Sequence, residues 1–425
     1  MPNIGIIKAP IPSISTPAKL MNADNISPED MIMHRRAESS FAESKSDSTI
    51  GHKRSPTKIY FNGRFLTAVP AGVHRVAQEM IVAVDKLLTE EPALAAAFDL
   101  TLVTPPKVRH RPALARVQSK IGGRLKGVLW EQFDLPRLTA DGLCVGFCNA
   151  GPLIRRNAMT MLHDTQVYSM PASYSFAFRL WYKIALPLIG HRHKHILTGA
   201  AAAKSDLVRY GVAPAGKISI IPHGCDHILR ITPDETAVAR LGLDRRPYVL
   251  SLANTQFHKN IGILLKAFAN PALKQATLAL FGGASAADFE AAGHNVPDNV
   301  VFLGRISDPE LVGLMKGATA YACPSLTEGF GLPPLEAMLH GCPAIVACES
   351  LLEVCEDAAL TADPHDASTW AAQISRLMTN ESLRDDMRAR GKVQAGKYTW
   401  QRAARQLLRT IAEVENRAVP QALLP

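Results

Sequence analysis

Pro324-Ser-Leu-Thr-Glu-Gly-Phe-Gly-Leu-Pro-Pro-Leu-Glu336 sets two carboxylates eight positions apart around a glycine loop that runs into a helix. The apolar run just before it, 319–323, has the length and composition of a short buried strand. Pro333 and Pro334 suit a first helical turn, where a missing N–H costs nothing. Gly341 and then Pro343 stop that helix. Glu328 therefore falls at the carboxyl end of a strand, and Glu336 projects near the start of the following helix. Unpaired N–H groups and the positive helix end favour a phosphate in such a loop. A phosphorylated ligand with hydroxyls for two carboxylates to hold is a nucleotide sugar. On spacing alone, the segment reads equally as a strand-loop-helix connection with two solvated glutamates.

Working outward, the same alternation recurs on both sides. Strands are expected at 58–62, 98–103, 143–147, 158–162, 194–197 and 217–221, then at 248–252, 276–281, 300–303 and 344–347. Between the first two, Val73, Val76, Ala77, Met80, Ile81, Val84, Leu87 and Leu88 form a helical stripe that begins just after Gly72. A second helix is expected at 260–268, and Ser307-Asp-Pro-Glu310 is a capping box for a third. Strands alternating with helices imply parallel sheets with right-handed crossovers. The expected architecture is α/β: two Rossmann-like doubly wound domains facing across a cleft, joined near 223–229. Residues 1–56, rich in Ser, Pro, Ala, Asp and Lys without periodicity, are expected to be a disordered extension. The domains then run 57–228 and 229–399, and a terminal helix, 400–425, returns to the first. No Gly-x-Gly-x-x-Gly follows any of these strands, which counts against a plain dinucleotide oxidoreductase.

A chain of 425 residues, about half apolar and one fifth charged, is an ordinary globular protein of two or three domains. Its seven cysteines are scattered, and only Cys144 and Cys148 lie close together. Buried thiols in a reducing cytoplasm are the expectation, with no metal site. Nothing approaches the length of a membrane span, and the N-terminus has no secretory pattern. The net charge of +9 is unevenly spread. Residues 101–130 carry Lys107, Arg109, Arg111, Arg116, Lys120, Arg124 and Lys126 without one acid, and His191-Arg-His-Lys-His195 adds a second basic knot. No aromatic-rich or zinc-finger pattern accompanies them, so nucleic acid is not the expected partner. Arg116, Lys120 and Arg124 recur at intervals of four, with Ile121, Leu125 and Leu129 on an adjacent face. That spacing predicts an amphipathic helix, weakened by Gly122-Gly123 and ordered on the anionic cytoplasmic face of a membrane.

The segment around Glu328 resembles the Glu-x7-Glu signature of retaining GT-B glycosyltransferases of family 4, which includes bacterial mannosyl- and glucosyltransferases. The flanking Pro-Ser and Glu-Ala-Met match as well. The resemblance extends from about Lys58 to about Val414. It implies that Glu328 lies beside the donor sugar and that Glu336 binds the ribose hydroxyls, with Gly329, Phe330, Gly331 and Leu332 lining the donor site. His163-Asp164 is similar to the family's His-Asp pair, His163 approaching the reaction centre and Asp164 facing the acceptor. Lys259 occupies the place of a lysine that pairs with the donor diphosphate, which stabilises a departing nucleotide without metal. Asn254 and His258 stand where many relatives carry arginine, so positive charge for the phosphates is thin. Gly72 resembles the family's N-terminal glycine loop, and Gly282 and Gly283 end a strand on the donor side. Ile221-Pro-His-Gly-Cys-Asp226 resembles the hinge between the domains. Trp130 and Glu131, in Trp130-Glu131-Gln132 of the first domain, read as facing the acceptor, and Trp130 reads equally as a packing residue.

The expected activity is transfer of a hexose, mannose first, from a nucleotide-diphosphate sugar with retention of configuration. GDP-mannose is the leading donor, no metal or other cofactor is implied, and the acceptor is an envelope saccharide or lipid-linked saccharide. The expected location is cytoplasmic, peripheral on the membrane face. A sugar-nucleotide epimerase or glycoside phosphorylase of the same fold, or a non-catalytic nucleotide-sugar or glycan binder, are the rival readings.

Overall fold

The computed structural model describes residues 55–424. The proposed disordered extension, 1–56, lies almost wholly outside the described residues. Two parallel sheets organise the chain. The first contains β1 (Thr57–Asn62), β2 (Phe98–Thr104), β3 (Gln118–Ile121), β4 (Leu143–Gly146), β5 (Ala158–Met161), β6 (His195–Thr198) and β7 (Ile218–Ile220). The second contains β8 (Tyr248–Ala253), β9 (Thr277–Gly282), β10 (Val300–Gly304), β11 (Ala320–Cys323), β12 (Ala344–Val346) and β13 (Ala359–Thr361). Seven helices matter for the site: α1 (Gly72–Glu90), α2 (Phe176–Arg192), α3 (Ala201–Arg209), α4 (Ile261–Phe268), α5 (Asp308–Gly317), α6 (Leu332–Leu339) and α7 (Trp400–Val414).

The strand orders are β3-β2-β1-β4-β5-β6-β7 and β10-β9-β8-β11-β12-β13. Each is the doubly wound order, which reverses direction once, between β1 and β4 and between β8 and β11. Strands β5, β8 and β11 are nearly continuous apolar runs because helices cover both faces. The α1 stripe buries Val76, Met80, Ile81, Val84 and Leu87 in the first core. Trp400, Leu407, Leu408 and Ile411 of α7 enter that same core, so the chain returns to its first domain after building the second. The Ser307 capping box forms as expected and starts α5.

The amphipathic helix expected across 116–129 does not form. Gln118–Ile121 is instead the edge strand β3, all four residues exposed and paired in parallel with β2. Three consecutive N–H groups, of Ala115, Arg116 and Val117, donate to the Asp85 carboxylate and lead the chain into the strand. The Asp134 carboxylate accepts the N–H groups of Arg124 and Leu125. Lys120 extends along Tyr60 and donates to the Leu138 carbonyl. The segment is thus ordered by one distant acid, Asp85, and one nearby acid, Asp134, and Arg116, Lys120 and Arg124 share no helical face. A polar edge strand offers no periodicity to read, whereas intervals of four suggested a helix by coincidence.

All seven cysteines are unpaired, five of them buried. Among the described residues no helix is long and apolar enough to cross a membrane.

Candidate active site

The two switch points face each other across a cleft, and the sequence loads the ends of their strands. Beyond β8, the turn Phe257–Lys259 leads to Asn260 in the left-handed region (φ 55°), then α4. Asn260 Nδ2 donates to the carbonyls of Pro324 and Pro364, which pins this turn to the loop after β11. Beyond β11, Gly331 adopts φ 101° as the cap of α6, a conformation that L side chains rarely take. Pro333 and Pro334 follow, so the N–H groups available at this helix end are those of the loop before them.

Lys259 Nζ and Glu328 Oε1 lie 2.7 Å apart and bridge the second switch point. Both side chains are largely buried, and Ser325 Oγ donates to the same carboxylate oxygen at 2.6 Å. Burial alone would lower the lysine, but Glu328 outweighs it and holds the ammonium up at about 12. Burial pushes Glu328 the other way from its partners, and the Lys259 charge and hydrogen bonds leave its pKa below the ordinary value. Both groups are charged at neutral pH. Ser350 Oγ additionally donates to the Glu328 carbonyl, fixing the loop.

The first domain closes the other side. Its switch-point end carries α1, whose Gly72 lines the cleft; a Cβ there would meet nothing within 4 Å, so the space belongs to the cavity. Gly329 is the opposite case. A Cβ there would lie 2.4 Å from the His163 carbonyl oxygen, so only glycine lets the two domains approach this closely. The resulting cavity, about 370 Å³, is lined from one side by Gly72, His163, Asp164 and Tyr174. From the other side come His258, Lys259, Glu328, Gly329, Phe330, Gly331 and Leu332. Its walls are tied together by Gln166 Nε2 donating to the Thr327 carbonyl, by the Arg75–Asp308 ion pair at 2.8 Å, and by Ser173 with His258.

Several of the expected residues have hydrogen-bond partners of their own. His163 lines the cavity, but Nε2 lies 2.6 Å from the Phe147 carbonyl and so carries the proton, leaving Nδ1 to accept from His223 Nε2 at 3.2 Å. Burial lowers its pKa to about 4. The ring is neutral with both nitrogens engaged, a positioned wall rather than a proton carrier. Burial, then Lys259, likewise lowers His258 to about 4. It supplies no charge in place of the arginine, and Lys259 is the cation of the cavity. Burial, followed by Glu328, raises Asp164.

Glu336 does not line this cavity. It is held at 3.1 Å by His227 Nε2, whose Nδ1 accepts from Trp400 Nε1. Asn254, bonded to Gln256, and Gly282 and Gly283 at the end of β9 also stand apart from it. Trp130 is wholly buried and donates to the Gly122 carbonyl, so it is core and not an acceptor surface. Glu131 is buried as well, accepting from Asn62 and paired with Arg64 at 3.0 Å, and it lines a second, smaller cavity on the first domain. Sequence reasoning missed Tyr174, Gln166 and His223. Tyr174 and Gln166 sit in no motif, whereas His223 lies within the hinge motif Ile221–Asp226, which reads as a joint and not as part of the site. Among the described residues no group of three or more His, Cys, Asp or Glu side chains could hold a metal ion.

Residues 234–394 match the sequence model of the family described as glycosyl transferases group 1. The chain is similar to O-antigen chain mannosyltransferase B of Escherichia coli, 29% identical over 263 residues, 59% of this chain and 69% of that protein. It is 30% identical over 244 residues to D-inositol 3-phosphate glycosyltransferase of Salinispora arenicola, covering 51% of this chain and 54% of the relative. To O-antigen chain mannosyltransferase RfbU of Salmonella typhimurium it is 28% identical over 233 residues, 53% of this chain and 62% of that one. The chain thus spans less than two thirds of the length of the last two. Among solved structures, sucrose-phosphate synthase from Thermosynechococcus elongatus superposes with a TM-score of 0.65 at 19% identity, covering 85% of this chain and 99% of that one. Anabaena HepE in complex with UDP-glucose gives 0.63 at 17% identity, 84% and 99% covered. WaaG, a glycosyltransferase involved in lipopolysaccharide biosynthesis, gives 0.61 at 17% identity, 81% and 98% covered. The fold is GT-B: two Rossmann-like α/β domains, each on a parallel sheet.

Proposed function

We propose that this protein is a retaining glycosyltransferase of family 4 that moves a hexose, mannose first among candidates, from a nucleotide-diphosphate sugar to an envelope saccharide carried on a lipid. The observation that carries the reading is the Lys259–Glu328 pair, buried at a switch point and open to an interdomain cavity with Asp164 opposite. Such a pair serves a diphosphate sugar well. The donor phosphates draw Lys259 away from Glu328, and its fixed positive charge stabilises the nucleotide as it departs. Glu328, released, remains beside the sugar. The bond from the anomeric carbon to the phosphate oxygen breaks while the acceptor hydroxyl forms its bond on the same face. The acceptor proton passes to the leaving phosphate. The neutral His163 ring does not enter that transfer. Glu336 meets the ribose hydroxyls only if it exchanges its hydrogen bond from His227.

GDP-mannose is the proposed donor because the relatives named above include O-antigen mannosyltransferases. Incubating the protein with a panel of nucleotide sugars and following nucleotide release should single out one donor by slow hydrolysis. Proton NMR of the product formed with an acceptor should show the donor's anomeric configuration. Inversion would remove the retaining mechanism, and epimerisation of the nucleotide sugar without any acceptor would remove glycosyl transfer.

A further inference from the structure

Outside the cleft, exposed apolar side chains are concentrated in one stretch of the first domain. Twelve of the twenty large hydrophobic side chains exposed among the described residues lie between 121 and 188. On α2, Phe176, Leu180, Ile184 and Leu188 recur at intervals of four, with Trp181 beside them, which makes one continuous stripe. The opposite side of the same helix, including Ala185, Leu186 and Ile189, is buried in the domain. A helix with apolar side chains on both its buried and its outer side is expected to be covered on both. Leu125 projects from the loop after β3, and Val128, Leu129 and Phe133 from the short helical stretch 127–138 that follows it. The two groups are contiguous, because Val128, Phe178 and Trp181 line one cavity of about 240 Å³.

The charges around this face have one sign. Arg124 and Lys126 are exposed beside the loop, and Lys183 and Arg192 are exposed on α2, which contains no Asp or Glu. The two nearby acids are already engaged, Glu131 with Arg64 and Asp134 with the loop N–H groups. Aromatic and aliphatic side chains flanked by lysine and arginine are the composition of an interfacial membrane surface.

We propose that this face docks on an anionic lipid bilayer, with Trp181 and its neighbours at the acyl boundary and the four cations at the headgroups. The helix starts two residues after Tyr174, which lines the catalytic cavity, so docking brings the mouth of the cleft to the lipid surface. That consequence, delivery of a lipid-linked acceptor, rests on the glycosyl-transfer reading; the docking itself does not.

The chain carries its own reporter, since Trp130, Trp370 and Trp400 are buried and only Trp181 is exposed. The full protein, without substrate, is mixed with vesicles of phosphatidylcholine, with or without phosphatidylglycerol. With the anionic lipid it should sediment with the vesicles, shift its emission to the blue and be quenched by brominated acyl chains. Trp181→Phe should abolish the spectral change yet still sediment. The triple variant Leu180→Ser, Trp181→Ser, Ile184→Ser should lose at least tenfold in vesicle affinity. Replacing Arg124, Lys126 and Lys183 with Gln should lose about 100-fold at low salt, from about 1 kcal/mol per cation. Slow donor hydrolysis should persist in all of them. Absence of vesicle binding, equal binding by the triple variants, or a dimer in sedimentation equilibrium that the apolar triple variant dissolves in place of vesicle binding would each overturn the proposal. Vesicle binding by a protein that transfers no sugar would sink the reaction and leave the docking surface standing.

Discussion

Removing Lys259 should harm this protein in a manner that depends on pH. At an effective dielectric of about 20, opposite charges about 4 Å apart attract by about 4 kcal/mol. Desolvating two ions costs several kcal/mol each, so the buried pair as a whole is expected to be close to neutral for stability. The single variant is another matter. Lys259→Met leaves Glu328 buried with Ser325 as its remaining side-chain donor and with Asp164 nearby. Stranding one charge in this way typically costs about 3–5 kcal/mol. For a chain of this size that corresponds to a fall in Tm on the order of 5–10 °C. The double variant Lys259→Met, Glu328→Gln should recover most of it. The sign with pH follows from which term remains. Without Lys259, burial dominates and the Glu328 pKa rises above its unfolded value, so protonation relieves the variant. Its deficit should therefore be full at pH 8 and shrink as pH falls through that raised value. Scanning calorimetry of the four proteins of the cycle at pH 5.5 and 8 provides the measurement. Equal Tm for wild type and Lys259→Met at pH 8, or additive single effects in the double variant, would refute the reasoning.

Four further outcomes are expected. Turnover of a confirmed donor should fall roughly 10²-fold or more in Lys259→Ala, as for loss of one donor that stabilises transition-state charge, and wild-type rates would dismiss its role at the phosphates. Gly329→Ala should separate the domains, because its Cβ would sit 2.4 Å from the His163 carbonyl; an unchanged radius of gyration and unchanged rate would show that the approach is not needed. Glu336→Ala should weaken nucleotide binding by about 1–3 kcal/mol if the ribose replaces His227 as partner, and titration calorimetry with free nucleotide decides it. Finally, His163, His193 and His258 are all lowered to about 4, with burial the first cause. A folded pKa below the unfolded one means that the unfolded chain takes up protons first, so stability should drop as pH falls from about 6.5 to about 4. A denaturation midpoint that stays flat across that window would contradict the burial of these rings.

What the sequence determined by itself is the repeating unit and the loop that carries the charge. Apolar runs place β8 and β11 because a strand covered on both faces must be nearly apolar throughout. The Val73–Leu88 stripe places α1, and the carboxylate at Glu328 falls at a strand end by counting alone. Tertiary structure decided everything that depends on a partner far along the chain. Lys259 meets Glu328 because β8 and β11 adjoin, a relation of sheet order that neither segment encodes locally. Glu336 turns to His227, and His163 gives both ring nitrogens away, because residues from the hinge and from β4's end arrive beside them. The basic segment before Trp130 shows the same dependence in reverse. Its intervals of four fit a helix, but Asp85 and Asp134 offer its N–H groups carboxylates, and β2 offers an unpaired edge. The bonds to Asp85 and to β2 need distant chain to have folded first, and together with the local Asp134 contacts they outweigh the weak helical preference of a stretch that contains two adjacent glycines.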